Sequence, residues 1–197
     1  MSTVSAYSRN LSGISADGWQ RLTTALEYYT QCGYVYADVP WMVSRDTSLL
    51  TCPDRGRIMG VPHHGDLVGS AEQGFLEAQR QRRRGSYVAI TPCFRDEGIQ
   101  DQLHGFNFMK VELYRDDDVD SETLLDMITS AQQCMQLLLE PELESKLKMV
   151  QTEIGFDLEL NGIEVGSYGI RTLPWGDTYL YGTGLAEPRF ETAMKKG

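Results

Sequence analysis

Cys93-Phe94-Arg95-Asp96-Glu97 and, past a polar loop, His104-Gly105-Phe106-Asn107-Phe108-Met109-Lys110-Val111-Glu112 form the stretch on which the fold turns. An alternating run from Tyr87 to Phe94 leads into it, and a second, from Phe106 to Tyr114, leads out. Alternation of this kind sends successive side chains to opposite faces of a strand, so the segment predicts two antiparallel strands joined by a loop. Such a hairpin projects a fixed cation, carboxylates and an aromatic ring toward one ligand. A guanidinium grips phosphate oxygens in two directions, and an aromatic face stacks a purine. Taken alone, the same residues describe equally well a surface hairpin with ordinary ion pairs.

Two later segments point the same way. Between Gly155 and Arg171, Asn161-Gly162 separates two apolar alternating runs, which is a strong hairpin signal. Folding there is expected to bring Asp157 and Glu164 close across two strands, an arrangement suited to a shared hard cation such as Mg2+. The plain alternative is a hairpin bearing solvated acids. Gly182-Thr183-Gly184-Leu185-Ala186-Glu187-Pro188-Arg189 then runs into a helix start. Small residues let a backbone approach a nucleotide, and an arginine reaches phosphate and adenine, although a Gly-x-Gly is by itself more often a turn.

In this order the three segments resemble motif 2, the metal-holding catalytic segment and motif 3 of the class II aminoacyl-tRNA synthetases. Residues 17–43 add a looser likeness to motif 1. There Asp17 is expected to cap a helix carrying Trp19, Leu22, Leu26 and Tyr29, ended by Gly33 and followed by strand-like residues from Tyr34 to Trp41. The resemblance spans about residue 17 to 195 and is nearest the aspartyl/asparaginyl/lysyl branch, in its aspartyl type. It implies an α+β fold, a mixed and mostly antiparallel β-sheet flanked by helices, as one catalytic domain over 1–197. It also implies ATP and Mg2+ as cofactors and a homodimer built on motif 1. Arg95 and Arg189 take catalytic, phosphate-binding roles. Glu97, His104, Phe108 and Glu164 complete the ATP site, and Asp157 and Glu164 hold the metal. Glu72, in Ser70-Ala71-Glu72, and Glu112 meet the substrate ammonium, while Arg171, seven residues after Glu164, meets an acidic side chain. The chain departs from the pattern at Ala186, where a third Gly is usual, at Pro188, where an acidic residue is usual, and at Phe75, where aspartyl-type enzymes place a Lys.

Composition sets limits on partners and place. At 197 residues with 41% hydrophobic content, the chain can bury a core without staples. Cys32, Cys52, Cys93 and Cys134 form no Cys-x-x-Cys pair, so reduced thiols in a cytoplasmic protein are expected. No apolar stretch is long enough to span a bilayer, and no secretory signal opens the chain. The net charge of −10 disfavours extensive nucleic-acid contact. Arg80-Gln81-Arg82-Arg83-Arg84 is read as a solvated helix end rather than a polyanion site, and Asp116-Asp117-Asp118-Val119-Asp120 as a solvated connection to a helix capped by Ser121. That helix carries Leu124, Leu125, Ile128, Ala131, Met135 and Leu138 as a core stripe, and a second, charged helix is expected from Glu142 to Val150. Strands are expected to dominate 34–43, 57–68, 87–114 and 155–185, with helices on one side of the sheet. His63 and His64 belong either to a loop over the site or to the ordinary surface.

The expected activity is that of an ATP-dependent ligase which activates an amino acid as an aminoacyl-adenylate. An aspartate-like or amide-bearing substrate is favoured. With no anticodon-recognition domain, the chain is expected to be a stand-alone paralogue passing the amino acid to another acceptor, with a nucleic-acid acceptor possible but not favoured. The alternatives are a non-catalytic dimeric paralogue that senses an amino acid or binds a partner, and a tRNA aminoacylase that recognises only the acceptor stem.

Overall fold

The structure, a computed structural model, describes residues 13–52, 54–79, 82–96 and 105–196. Its first helix, α1 (Ala16–Gln31), is capped by Ser15, whose hydroxyl accepts from the Gly18 N–H at 3.0 Å. Asp17, expected as the cap, lies inside the first turn, where its charge complements the helix dipole. Leu22, Ala25 and Tyr29 face inward, whereas Trp19 stays exposed. Gly33, at φ +94°, turns the chain out of the helix.

The expected strand from Tyr34 to Trp41 shortens to β1 (Val35–Tyr36), which pairs in parallel with β5 (Ser86–Phe94) at Val35–Tyr87. β5 and β6 (Asn107–Arg115) then form the antiparallel pair read from the sequence, with Cys93 opposite Phe108 and Ala89 opposite Glu112. β7 (Leu147–Gln151), β8 (Phe156–Leu160), β9 (Ile163–Thr172) and β10 (Thr178–Glu187) complete a seven-stranded sheet in the order β1-β5-β6-β10-β9-β8-β7. All pairs but the first are antiparallel. A second sheet of three short strands, β2 (Met42–Val43), β4 (Gly65–Leu67) and β3 (Gly60–Val61), lies beside α2 (Arg45–Thr51). It joins the main sheet where the Phe94 N–H donates to the Val68 carbonyl at 2.8 Å. His63 and His64 occupy the exposed turn between β3 and β4.

The two faces of the large sheet differ in kind, as strand alternation requires. One presents Val88, Val111, Leu113, Leu158, Leu160, Leu180 and Leu185 to α1, α4 (Ser121–Leu137) and α6 (Arg189–Lys195), which together make the main core. Burial of large aliphatic side chains there is worth about 1.5–3 kcal/mol apiece. Gly184 lets α1 come close: a Cβ at that position would stand 2.7 Å from the Tyr29 ring, whose hydroxyl donates to the Gly184 carbonyl at 3.0 Å. The other face carries a smaller cluster in which Phe75 and Leu76 of α3 (Ala71–Glu77) pack on Ala89, Tyr114, Tyr179 and Tyr181. Helices therefore lie on both faces, not on one as expected, and the short α3 is buried along nearly its whole length.

Four further expectations are corrected. α4 is capped by Asp120, not Ser121, in a reciprocal pair of bonds with Thr123. The helix expected from Glu142 to Val150 is only one turn, α5 (Pro141–Glu144), and its remainder is edge strand β7. Arg82 is no solvated helix end. Its guanidinium lies 4.4 Å from the Tyr114 ring centre and 4.6 Å from that of Tyr87, and pairs with Asp116 at 3.1 Å. Asp116, read as solvated, is buried and accepts from the Gly85 N–H. Among the described residues no helix is long and apolar enough to cross a membrane.

Candidate active site

The face of the sheet opposite α1 and α4 opens, between α3 and the small sheet, into a cavity of about 770 Å³. Strand periodicity explains what lines it. On β6, Phe108, Lys110 and Glu112 share one face, and on β10 Tyr181, Thr183 and Ala186 do the same. A bulge between Thr183 and Leu185 sets aside Gly184 and keeps Leu185 in the core while Ala186 reaches the cavity. Five cations (Arg57, Arg95, Lys110, Arg171, Arg189) and four carboxylates (Asp54, Glu72, Glu112, Glu164) stand in the wall. In a chain of net charge −10, that local excess of cations favours an anionic ligand.

Arg95 leaves the end of β5 with its backbone N–H bonded to the Phe106 carbonyl. Its Nε donates to the Gly69 carbonyl at 3.0 Å, and its guanidinium sits 5.2 Å from the centre of the Phe108 ring. Both residues are therefore at the same end of the cavity. Glu97 and His104, expected to complete this end, lie outside the described residues.

At the other end Glu72 is buried at the start of α3. Tyr179 donates its hydroxyl to Glu72 Oε1 at 2.7 Å, and Arg171 Nε approaches the same oxygen at 3.4 Å. Burial raises the Glu72 pKa above the ordinary carboxylate range. Arg171 and the Tyr179 hydroxyl pull it back down, and the Glu112 charge pushes it up. The Arg171 guanidinium lies over the Tyr181 ring, 4.6 Å from its centre, and its Nη1 donates to the Thr51 carbonyl at 3.4 Å. Glu112 accepts from the Ser70 hydroxyl at 2.6–2.7 Å and pairs with Lys110 at 3.2 Å.

The β8–β9 hairpin turns at Asn161 and Gly162, both at positive φ, as a tight two-residue turn requires. Glu164 stands opposite Glu159, as the two-residue turn requires, and a bulge between Leu158 and Glu159 takes up Val165, so that Asp157 stands opposite Ser167. Glu164 and Ser167 line the cavity, while Asp157 stands one cross-strand step behind Ser167 and is not in the wall. The two acids are thus diagonal neighbours. Glu164 already pairs with Arg189, the first residue of α6, at 3.3 Å. Among the described residues no three metal-binding side chains converge. The donor set suits a Mg2+ that arrives on phosphates and takes one protein carboxylate, since that ion is commonly held by one or two carboxylates plus phosphate oxygens.

Seven of the ten expected residues, Glu72, Arg95, Phe108, Glu112, Glu164, Arg171 and Arg189, therefore line one cavity. Lys110, Ser70 and Tyr179 were missed. Lys110 was findable, because it shares the face of Phe108 and Glu112 by simple alternation. Tyr179 carries no local signal, since its partner Glu72 is 107 residues away.

No family model and no curated protein matches this chain. Solved structures do. A pyrrolysyl-tRNA synthetase from Desulfitobacterium hafniense superposes with a TM-score of 0.71 at 13% identity, over 95% of this chain and 72% of that one. A second structure, of PylSc from the same organism, a pyrrolysyl tRNA synthetase, gives 0.70 at 13% identity, over 90% of this chain and 66% of that one. The seryl-tRNA synthetase from Pyrococcus horikoshii, complexed with ATP, gives 0.70 at 20% identity, over 88% of this chain and 49% of that one. The chain thus spans between half and three quarters of the structures it resembles. Its fold is that of class II aminoacyl-tRNA synthetase catalytic cores, mixed α and β around a mostly antiparallel sheet.

Proposed function

We propose that this chain binds ATP and an amino acid in the sheet cavity and joins them as an aminoacyl-adenylate for transfer to a separate acceptor. The observation that carries this is one cavity wall holding Arg95, Phe108 and Arg189 together with the buried carboxylates Glu72 and Glu112. In the reaction an oxygen of the amino-acid carboxylate attacks the α-phosphorus, the bond to the bridging oxygen breaks, and pyrophosphate leaves with its electrons. Two anions must meet in line, so fixed cations and alignment supply most of the rate. Arg95 neutralises the α-phosphate and the attacking carboxylate, and Phe108 stacks the adenine. Arg189 exchanges its contact with Glu164 for the far phosphates. Glu97 and His104 keep the ATP-binding role that the resemblance implies for them. Glu164 would be the protein ligand of a Mg2+ ion, with Asp157 as the next carboxylate out, and the ion would offset phosphate charge.

Glu72 and Glu112 receive the substrate ammonium, and Arg171 faces the side chain, which favours an aspartate-like or amide-bearing amino acid in the manner of the aspartyl/asparaginyl/lysyl branch. Lys110 adds a cation for the amino-acid carboxylate. Edge strand β1 exposes Val35 and Tyr36, with Trp41 exposed just beyond it, and this apolar edge supports a homodimer. Four free cysteines suit a reducing cytoplasm. A nucleic-acid acceptor is disfavoured by the acidic chain.

Amino-acid-dependent exchange of pyrophosphate into ATP, measured over the twenty common amino acids, tests the proposal. Exchange with one amino acid is expected, lowered about 100-fold or more in Arg95→Ala, the usual scale for removing a donor to transition-state charge. ATP binding without exchange would favour the sensor reading, which the Glu164–Arg189 pair in the wall and the departures at Ala186 and Pro188 keep open. Charging of bulk tRNA would favour acceptor-stem aminoacylation.

A further inference from the structure

Behind the amino-acid end of the cavity runs a stack of rings. Phe75 lies on Tyr114 with centroids 4.9 Å apart and 25° between planes, and Tyr114 lies on Tyr179 at 5.0 Å and 17°. The Arg82 guanidinium lies 4.4 Å from the Tyr114 ring centre, anchored by Asp116. Stacked rings with so many fixed neighbours leave Tyr179 little freedom, and its hydroxyl ends 2.7 Å from Glu72 Oε1. Among the described residues, the phenols of Tyr114 and Tyr181 lie within electrostatic reach of Glu72, and four more charged or titratable groups surround it. Arg171 approaches from β9, Tyr179 from β10, and Glu112 and Lys110 from β6. Arg171 stands at 3.4 Å and is divided between Glu72, the Thr51 carbonyl and the Tyr181 ring. Tyr179 thus gives the shorter of the two contacts to this carboxylate.

We propose that Tyr179 is a positioning residue: its hydroxyl, fixed by the ring stack, holds Glu72 in place and ionised so that the free oxygen can accept the ammonium group of the amino acid. This rests on the amino-acid-activating function proposed above. The chemistry is direct. An ammonium group has only donors, so a protonated, neutral Glu72 loses the charge attraction and one acceptor. A carboxylate as buried as Glu72 takes up a proton unless donors stabilise its charge. Tyr179 holds its own proton firmly, because burial and the Glu72 charge both raise its pKa far above the usual phenol range. It is therefore a donor at every working pH.

Tyr179→Phe tests this, because it keeps the ring and removes only the hydroxyl. The carboxyl carbon of Glu72, followed by NMR over pH 4–9 in isotopically labelled protein, should titrate at higher pH in the variant by about one unit, the scale of one hydrogen bond to a charged group. Where exchange activity is found, KM for the amino acid should rise about tenfold with KM for ATP unchanged, and the acid limb of kcat/KM should move to higher pH. A Glu72 titration identical in the two proteins overturns the proposal, as does a parallel rise in both KM values. The NMR readout needs no catalysis. Absence of exchange in the wild type with a shifted Glu72 titration would therefore defeat the proposed reaction and leave the positioning role supported.

Discussion

Arg82 should be among the most costly side chains to remove outside the cavity. Only 11% of its side chain and 6% of that of Asp116 is exposed, so truncation at one end strands the other charge in a poorly hydrated place. Arg82 Nη1 donates to the Arg83 carbonyl at 3.3 Å, and the cation is further held by the 3.1 Å ion pair through Nη2 and by the three rings of Phe75, Tyr87 and Tyr114. Breaking a buried pair by removing one partner costs about 3–5 kcal/mol, and a cation over rings adds about 1 kcal/mol. For Arg82→Ala we therefore expect a loss of about 4–6 kcal/mol in urea unfolding, a large share of the roughly 5–15 kcal/mol available to a domain. Arg82→Met with Asp116→Asn should recover about 2 kcal/mol, because the stem still covers Tyr114 and the amide oxygen still accepts from Gly85. A single-variant loss under about 1 kcal/mol, or strict additivity in the double variant, would refute the reasoning.

Two predictions concern pH. The Glu72 carboxyl is raised by burial, so its charge is a cost to the folded state that is absent below the unfolded carboxyl value and grows as pH rises. Glu72→Gln should accordingly unfold at higher urea than wild type at pH 8 and at the same urea near pH 4, while losing exchange activity; a variant weaker at both pH values would contradict this. Glu191 behaves oppositely. Its ion pair with Lys195, the Ser15 hydroxyl at 2.6 Å and Arg21 at 3.0 Å lower its pKa to about 2. That stabilisation is complete above the unfolded carboxyl value and disappears as pH falls toward about 2. Glu191→Gln should therefore be weaker than wild type at pH 7, with the gap closing in acid; a gap constant with pH would argue against it.

The strands that carry the site were readable because both their faces are constrained. Alternation fixed Phe108 and Glu112 on one side of β6, and Asn161-Gly162 fixed the turn between β8 and β9. What alternation cannot show is the extra residue of a bulge: Val165 moves Asp157 from the position opposite Gly166 to the one opposite Ser167 without altering the local apolar pattern. The Glu142–Val150 segment misled for a related reason. Its charges suit an exposed helix, but they suit the exposed edge of a sheet as well, and β7 is an edge strand with four of its five residues solvent-facing. Arg82 and Asp116 look solvated in any local window. Their burial depends on rings from α3 and β6 that only the tertiary fold assembles.

The contrast between an acidic exterior and a cation-rich hollow has a consequence for traffic. A net charge of −10 is expected to repel extended polyanions from the chain as a whole. On the proposed function, a small, compact polyphosphate needs only one foothold, the place where the guanidinium groups gather. Such a charge layout sorts visitors by size before any shape is tested, and added salt should blunt the sorting first for the approach and last for the seated molecule.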